Sequence, residues 1–60
     1  MNSNAERYIG LAVVELLAEG RLVSMFAVID ILERRLEDED LSKDDVDAIM
    51  QGTERLRRYV

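Results

Sequence analysis

The sequence predicts an all-α protein: three short helices, over about residues 4–19, 25–37 and 43–59, assembled as a helical homodimer. Three observations lead there. Apolar residues recur at three- and four-residue spacing along almost the whole chain. There is no Pro, and the three Gly are isolated, so hairpin turns and flexible linkers are both missing. With 60 residues, the chain holds one small domain, read here as a helical dimerisation domain over 1–60.

The first helix starts after Ser3 or Asn4, either of which can accept from first-turn N–H groups, with Glu6 near the positive end of the dipole. It runs through Tyr8, Ile9, Leu11, Ala12, Val13, Val14, Leu16 and Leu17, and stops at Gly20, a residue suited to a left-handed C′ position. Its polar positions are few, so its apolar surface is wider than one packing stripe requires. Part of that surface is expected to face a second chain.

Ser24 is the expected N-cap of the second helix, with Leu22 and Val23 before it available to pack on the helix they precede. Met25, Ile29, Leu32 and Leu36 form a seam, and Phe26, Val28 and Ile31 widen it, so this helix should be buried on more than one side. It ends in an acidic run placed at the negative end of the dipole. Ser42 and Asp45 approximate a capping box for the third helix. Acids fill that helix's first turn, and Arg55, Arg57 and Arg58 its last. Val46, Ile49, Met50, Thr53, Leu56 and Val60 make one narrow stripe, which predicts an outer, solvent-facing helix.

Size sharpens the expectation of a dimer. Area scaling gives roughly 10,000 Å² for the unfolded chain and about 4,000 Å² when compact. Burying the difference contributes on the order of 90 kcal/mol, against a conformational cost of about the same size. Disulfides and His- or Cys-based metal sites are closed to a chain without Cys or His, which leaves association. The expected interface draws on Ile9, Val13, Leu16 and Leu17 of the first helix and Phe26, Ile29 and Leu32 of the second. No basic, apolar leader pattern opens the chain, and Glu15 and Glu19 interrupt its longest apolar stretch, so a cytoplasmic protein without a membrane span is expected.

Chemistry is sparse. Ser3, Ser24, Ser42 and Thr53 are the only hydroxyl nucleophiles besides the tyrosines, and two of them are spoken for as caps. No enzyme activity and no cofactor is expected. Seven acids and one base between Glu37 and Asp47 give a local charge of −6, while the rest of the chain nets +1. Asp38 and Asp40 alternate as calcium-loop ligands do. Lys43 and Ile49 then occupy the positions that need Gly and Glu, which argues against metal binding. Asp38, Glu39, Asp40 and Asp44 are therefore read as a solvated corner and a candidate docking surface for a partner.

Gly20, Val23 and Ser24 between two helices resemble a helix-turn-helix, but its second helix would present Met25, Phe26, Val28 and Ile29 with no base before Arg34. The C-terminal Arg55, Arg57, Arg58 and Tyr59 are the better candidate partner-binding patch. They support an alternative in which the protein is a small nucleic-acid-associated transcription regulator, a role that Glu54 and the net charge of −5 disfavour.

Gly10-Leu11-Ala12-Val13, Leu16, Gly20-Arg21, Val23-Ser24, Val28-Ile29, Leu32 and Leu36-Glu37 resemble the shared segment of the YmgB/AriR family, which includes YcgZ and YmgA. The similarity continues through Asp45-Val46, Glu54 and Arg58-Tyr59. The resemblance implies a helical homodimer that binds and modulates a regulatory protein, as a connector of two-component signalling and a modulator of biofilm formation and acid resistance. It supplies no catalytic residues.

Overall fold

In the computed structural model, which describes residues 3–59 (for Ser3, the backbone only), three α-helices follow one another: α1 (Ser3–Ala18), α2 (Met25–Arg35) and α3 (Lys43–Arg57). The cap expected of the Ser3 side chain and the stripe position of Val60 lie outside the described residues. All-α architecture is as the periodicity requires, and the ends are set by local chemistry.

α1 closes in a Schellman turn. Gly20 takes the left-handed conformation (φ 69°), its N–H donates to the Leu17 carbonyl (3.1 Å), and the Arg21 N–H donates to the Leu16 carbonyl (2.9 Å). The Ser24 hydroxyl caps α2 by accepting from the Ala27 N–H (3.1 Å). That helix is shorter than its periodicity suggests. Beyond Arg35 the N–H groups of Leu36, Glu37 and Asp38 reach back three residues instead of four, which tightens the chain into turns before the acidic segment. Asp38 then accepts from the Asp40 N–H through its side chain (2.9 Å), turning the chain toward α3.

At the start of α3 the capping box forms. The Ser42 hydroxyl accepts from the Asp45 N–H (3.1 Å) and donates to the Asp45 carboxylate (2.9 Å).

The core is built by all three helices: Ala12 and Leu16 from α1, Val28, Ile31 and Leu32 from α2, and Ile49 from α3. Tyr8, Ile9, Val13, Ala27, Leu36, Leu41 and Leu56 pack against its margins. α3 is thus not the outer helix that its narrow stripe predicts. It packs against both α1 and α2 and buries Ala48, Ile49, Gly52 and Thr53, while Met50 from the expected stripe is exposed. The reason is size. Ala48 and Gly52 carry too little side chain to register as a hydrophobic stripe, yet on that side α1 approaches so closely that a Cβ at Gly52 would stand 3.4 Å from the Ala5 carbonyl oxygen and from Ile9. Buried Thr53 is satisfied by donating to the Ile49 carbonyl (3.0 Å).

Each pair of helices also carries one Arg–Glu bridge: Arg35–Glu15 (α2–α1, 3.3 Å), Arg55–Glu6 (α3–α1, 3.4 Å) and Arg57–Glu33 (α3–α2, 3.1 Å). All are half-exposed, so each contributes only about 0–1 kcal/mol and serves register more than stability. The radius of gyration is 10.9 Å, close to the ~10.4 Å of a compact chain of this length. A single subunit therefore closes its own core.

Candidate interaction surfaces

Closing the core divides the residues expected at a dimer interface. Leu16, Ile29 and Leu32 are buried inside the subunit, which corrects their assignment: in this fold they are spent on the intramolecular core. Ile9 and Val13 are half-buried against the same core. Leu17 and Phe26 remain outside, 64% and 71% exposed.

They are not alone. Helical spacing turns Ala5, Ala12 and Leu16 inward and leaves Gly10, Leu11, Val14, Leu17 and Ala18 on the opposite side of α1, all exposed. The connection to α2 adds Leu22 and Val23, and Phe26 stands on the first turn of α2 at the same end of the molecule. Leu22 and Val23 do not pack on α2 as expected; Leu22 is 89% exposed. The Schellman turn at Gly20 carries the chain outward before Ser24 restarts the helix, so no helix surface lies beneath Leu22.

The charges beside this face are engaged within the subunit: Glu6 with Arg55, Glu15 with Arg35, and Glu19 with Arg21 (3.4 Å). From Gly10 to Ala18 what remains outward is apolar, with Arg7 exposed on the same side nearer the start of the helix.

The second surface is the acidic turn. Asp38, Glu39, Asp40 and Asp44 are exposed, and Asp38 is partly committed to holding the turn. Asp45 belongs to the fold. Its carboxylate accepts from the Tyr8 hydroxyl of α1 as well as from Ser42, and these bonds, Tyr8's first, hold its pKa below the ordinary carboxylate value. The same bond, with partial burial next, raises the pKa of the Tyr8 phenol. This α1–α3 tie had a partial sequence signal: the capping box marked Asp45, but nothing in the pattern marked Tyr8 as its partner.

The C-terminal arginines are brought together less than their spacing suggests. Arg55 and Arg57 turn in opposite directions, to Glu6 and Glu33, while Arg58 and Tyr59 are exposed beyond the end of α3. Glu54 lies among them, lining with Arg55, Arg58 and Gln51 a shallow polar depression of about 230 Å³. A larger open groove of about 330 Å³ runs between α2 and α3, floored by Leu36, Met50 and Thr53 and rimmed by Glu33, Glu54 and Arg57. Sequence reasoning did not anticipate it, because it arises from the rotation of α3 that leaves Met50 outside. In the helix-turn-helix reading, Val28 and Ile29 would have to be accessible; both are buried.

Among the described residues, no group of three or more acidic, Cys or His side chains is placed to hold a metal ion, and no helix is long and apolar enough to cross a membrane. The fold and its surfaces define a class: a three-helix protein whose described residues present an outward apolar face and an acidic turn. Comparison with protein-family models, curated proteins and solved structures returns no match.

Proposed function

We propose that this chain is a non-enzymatic, homodimeric interaction protein that binds and modulates a signalling or transcription regulator. One observation carries the reading: a subunit with a closed core still presents an apolar face made of Leu11, Val14, Leu17, Leu22, Val23 and Phe26. Water-exposed apolar surface of that extent is the mark of a contact with another protein. The role in two-component signalling and in biofilm and acid-stress regulation comes from the resemblance to the YmgB/AriR family. In this reading the regulator docks on the acidic turn, Asp38, Glu39, Asp40 and Asp44, and contacts it through basic side chains.

The test is a pull-down with the full chain from its source cell, followed by reconstitution with the purified partner. A sensor kinase, response regulator or transcription factor that binds, and whose affinity falls at least tenfold when the four acids are changed to Asn or Gln, supports the proposal. Recovery of no regulator sinks it. The nucleic-acid alternative predicts binding to duplex DNA that weakens steeply with salt, and the two arginine–glutamate bridges count against it.

A further inference from the structure

The outward face of α1 carries a symmetry that identifies what covers it. Its residues are spaced evenly about Val14: Leu11 and Leu17 lie three positions to either side, and Gly10 and Ala18 four. On a helix, positions three before and three after a central residue stand at equal and opposite heights and angles around the axis. A two-fold axis beside Val14, perpendicular to both helices and to the line joining them, reverses height and keeps each residue on its own side of the seam, so it lays Ala18 of the partner subunit over Leu11, Gly10 of the partner subunit over Leu17, and Val14 against itself. Each large side chain meets a small one. The face is its own complement, the condition for an isologous contact.

Further observations agree. The six exposed apolar residues present on the order of 700 Å², above the ~300–600 Å² of the largest patch on a typical monomer and close to the ~800 Å² per partner of a standard interface. Glu6, Glu15 and Glu19 are each bridged to an arginine of their own subunit, which leaves exposed Arg7 as the charge on this side of α1. Gly10 offers room for close approach, because a Cβ there would meet nothing within 4 Å. Antiparallel pairing also brings Arg7 to the negative end of the partner helix.

We infer that two copies of this chain pair through α1, antiparallel about Val14, with Leu22, Val23 and Phe26 of each subunit extending the contact. The inference rests on the self-association in the proposed function, and the tests separate the two.

The chain has no native Cys, so single cysteines report geometry cleanly. Under mild copper–phenanthroline oxidation, Val14→Cys should cross-link to its own mate. A mixture of Leu11→Cys and Ala18→Cys should form the mixed dimer at least tenfold faster than either variant cross-links alone. In sedimentation at about 50 μM, wild type should be a dimer. Val14→Arg, altering an exposed position, should be a monomer with unchanged helical circular dichroism. Leu11→Cys cross-linking to itself overturns the antiparallel arrangement. A dimer that survives Val14→Arg, or in which Val14→Cys fails to cross-link, places the interface elsewhere and leaves self-association standing. A wild-type monomer sinks both ideas, as does a monomer that binds phosphatidylethanolamine–phosphatidylglycerol vesicles through this face.

Discussion

α3 and α1 handle apolar surface in opposite ways. α3 has a sparse stripe and buries Ile49 and Thr53 of it, together with Ala48 and Gly52, against its own subunit, with Leu56 at the margin of the core. α1 is apolar almost all round; it commits Ala5, Ala12 and Leu16 to the core and leaves Leu11, Val14 and Leu17 in water. The abundance of hydrophobic residues on a helix therefore does not measure how central the helix is. A small residue at a crossing can do as much as a large one, because close approach lets neighbouring side chains make the contact. An excess of large residues signals surface that the subunit does not use.

The largest expected effect comes from breaking the inward side. Ile49→Ala and Leu16→Ala, each removing a fully buried side chain, should cost about 2–5 kcal/mol. In a chain with so little margin, circular dichroism should then show an unfolded protein at 25 °C. Leu17→Ala and Phe26→Ala, one position and one helix away, should leave the unfolding midpoint of a dilute, monomeric sample within about 0.5 kcal/mol of wild type. If the exposed pair proves as costly as the buried one in monomer, the division between the two sides of α1 is wrong.

Next in size are the connections. Gly20→Ala places a Cβ in the left-handed region and should destabilise the fold by about 1–2 kcal/mol in urea unfolding. Removing either hydroxyl cap, by Ser24→Ala or Ser42→Ala, should cost about 1 kcal/mol. Ser42→Ala should be the worse of the two, because the same hydroxyl also donates to Asp45.

The smallest effect sharpens the α1–α3 comparison through pH. Asp45's pKa is depressed in the fold, so its contribution is full above the ordinary carboxylate value of about 3.9. That contribution is lost as pH falls through the lower folded value. Tyr8's pKa is raised, so its contribution is full below about pH 10 and is lost as pH rises through the raised value. Tyr8→Phe removes the hydrogen bond from both. Its acid and alkaline unfolding midpoints, followed by circular dichroism, should each move toward neutrality. Unchanged midpoints would show that the tie does not hold α1 to α3.

Much of the architecture was legible because its signals are local. Gly20, Ser24 and Ser42 act on backbone groups one to four residues away, so helix number and the two caps follow from residue type and order. Periodicity alone carries the second helix two residues too far because Leu36 continues its seam. What stopped the helix was the tightening of the turn beyond Arg35, which a periodic pattern does not register. The candidate surfaces were legible only in part. The acidic turn is a run of charges and needs no fold to be seen, whereas the pattern alone does not distinguish Leu16, Ile29 and Leu32, which the subunit itself covers, from residues that face a partner.

By itself, then, the sequence determined an all-α chain with three helices, a charged turn, and more apolar surface on α1 than one stripe accounts for. These follow from intrinsic helix periodicity, capping chemistry and composition, each a property of neighbouring residues. Only the tertiary structure decided which apolar residues are core and which are surface, that α3 lies against both other helices, and that Tyr8 meets Asp45. Those outcomes depend on how closely helices can approach, and that is set by side chains such as Gly52 and Ala48, whose smallness matters only once a second helix is beside them.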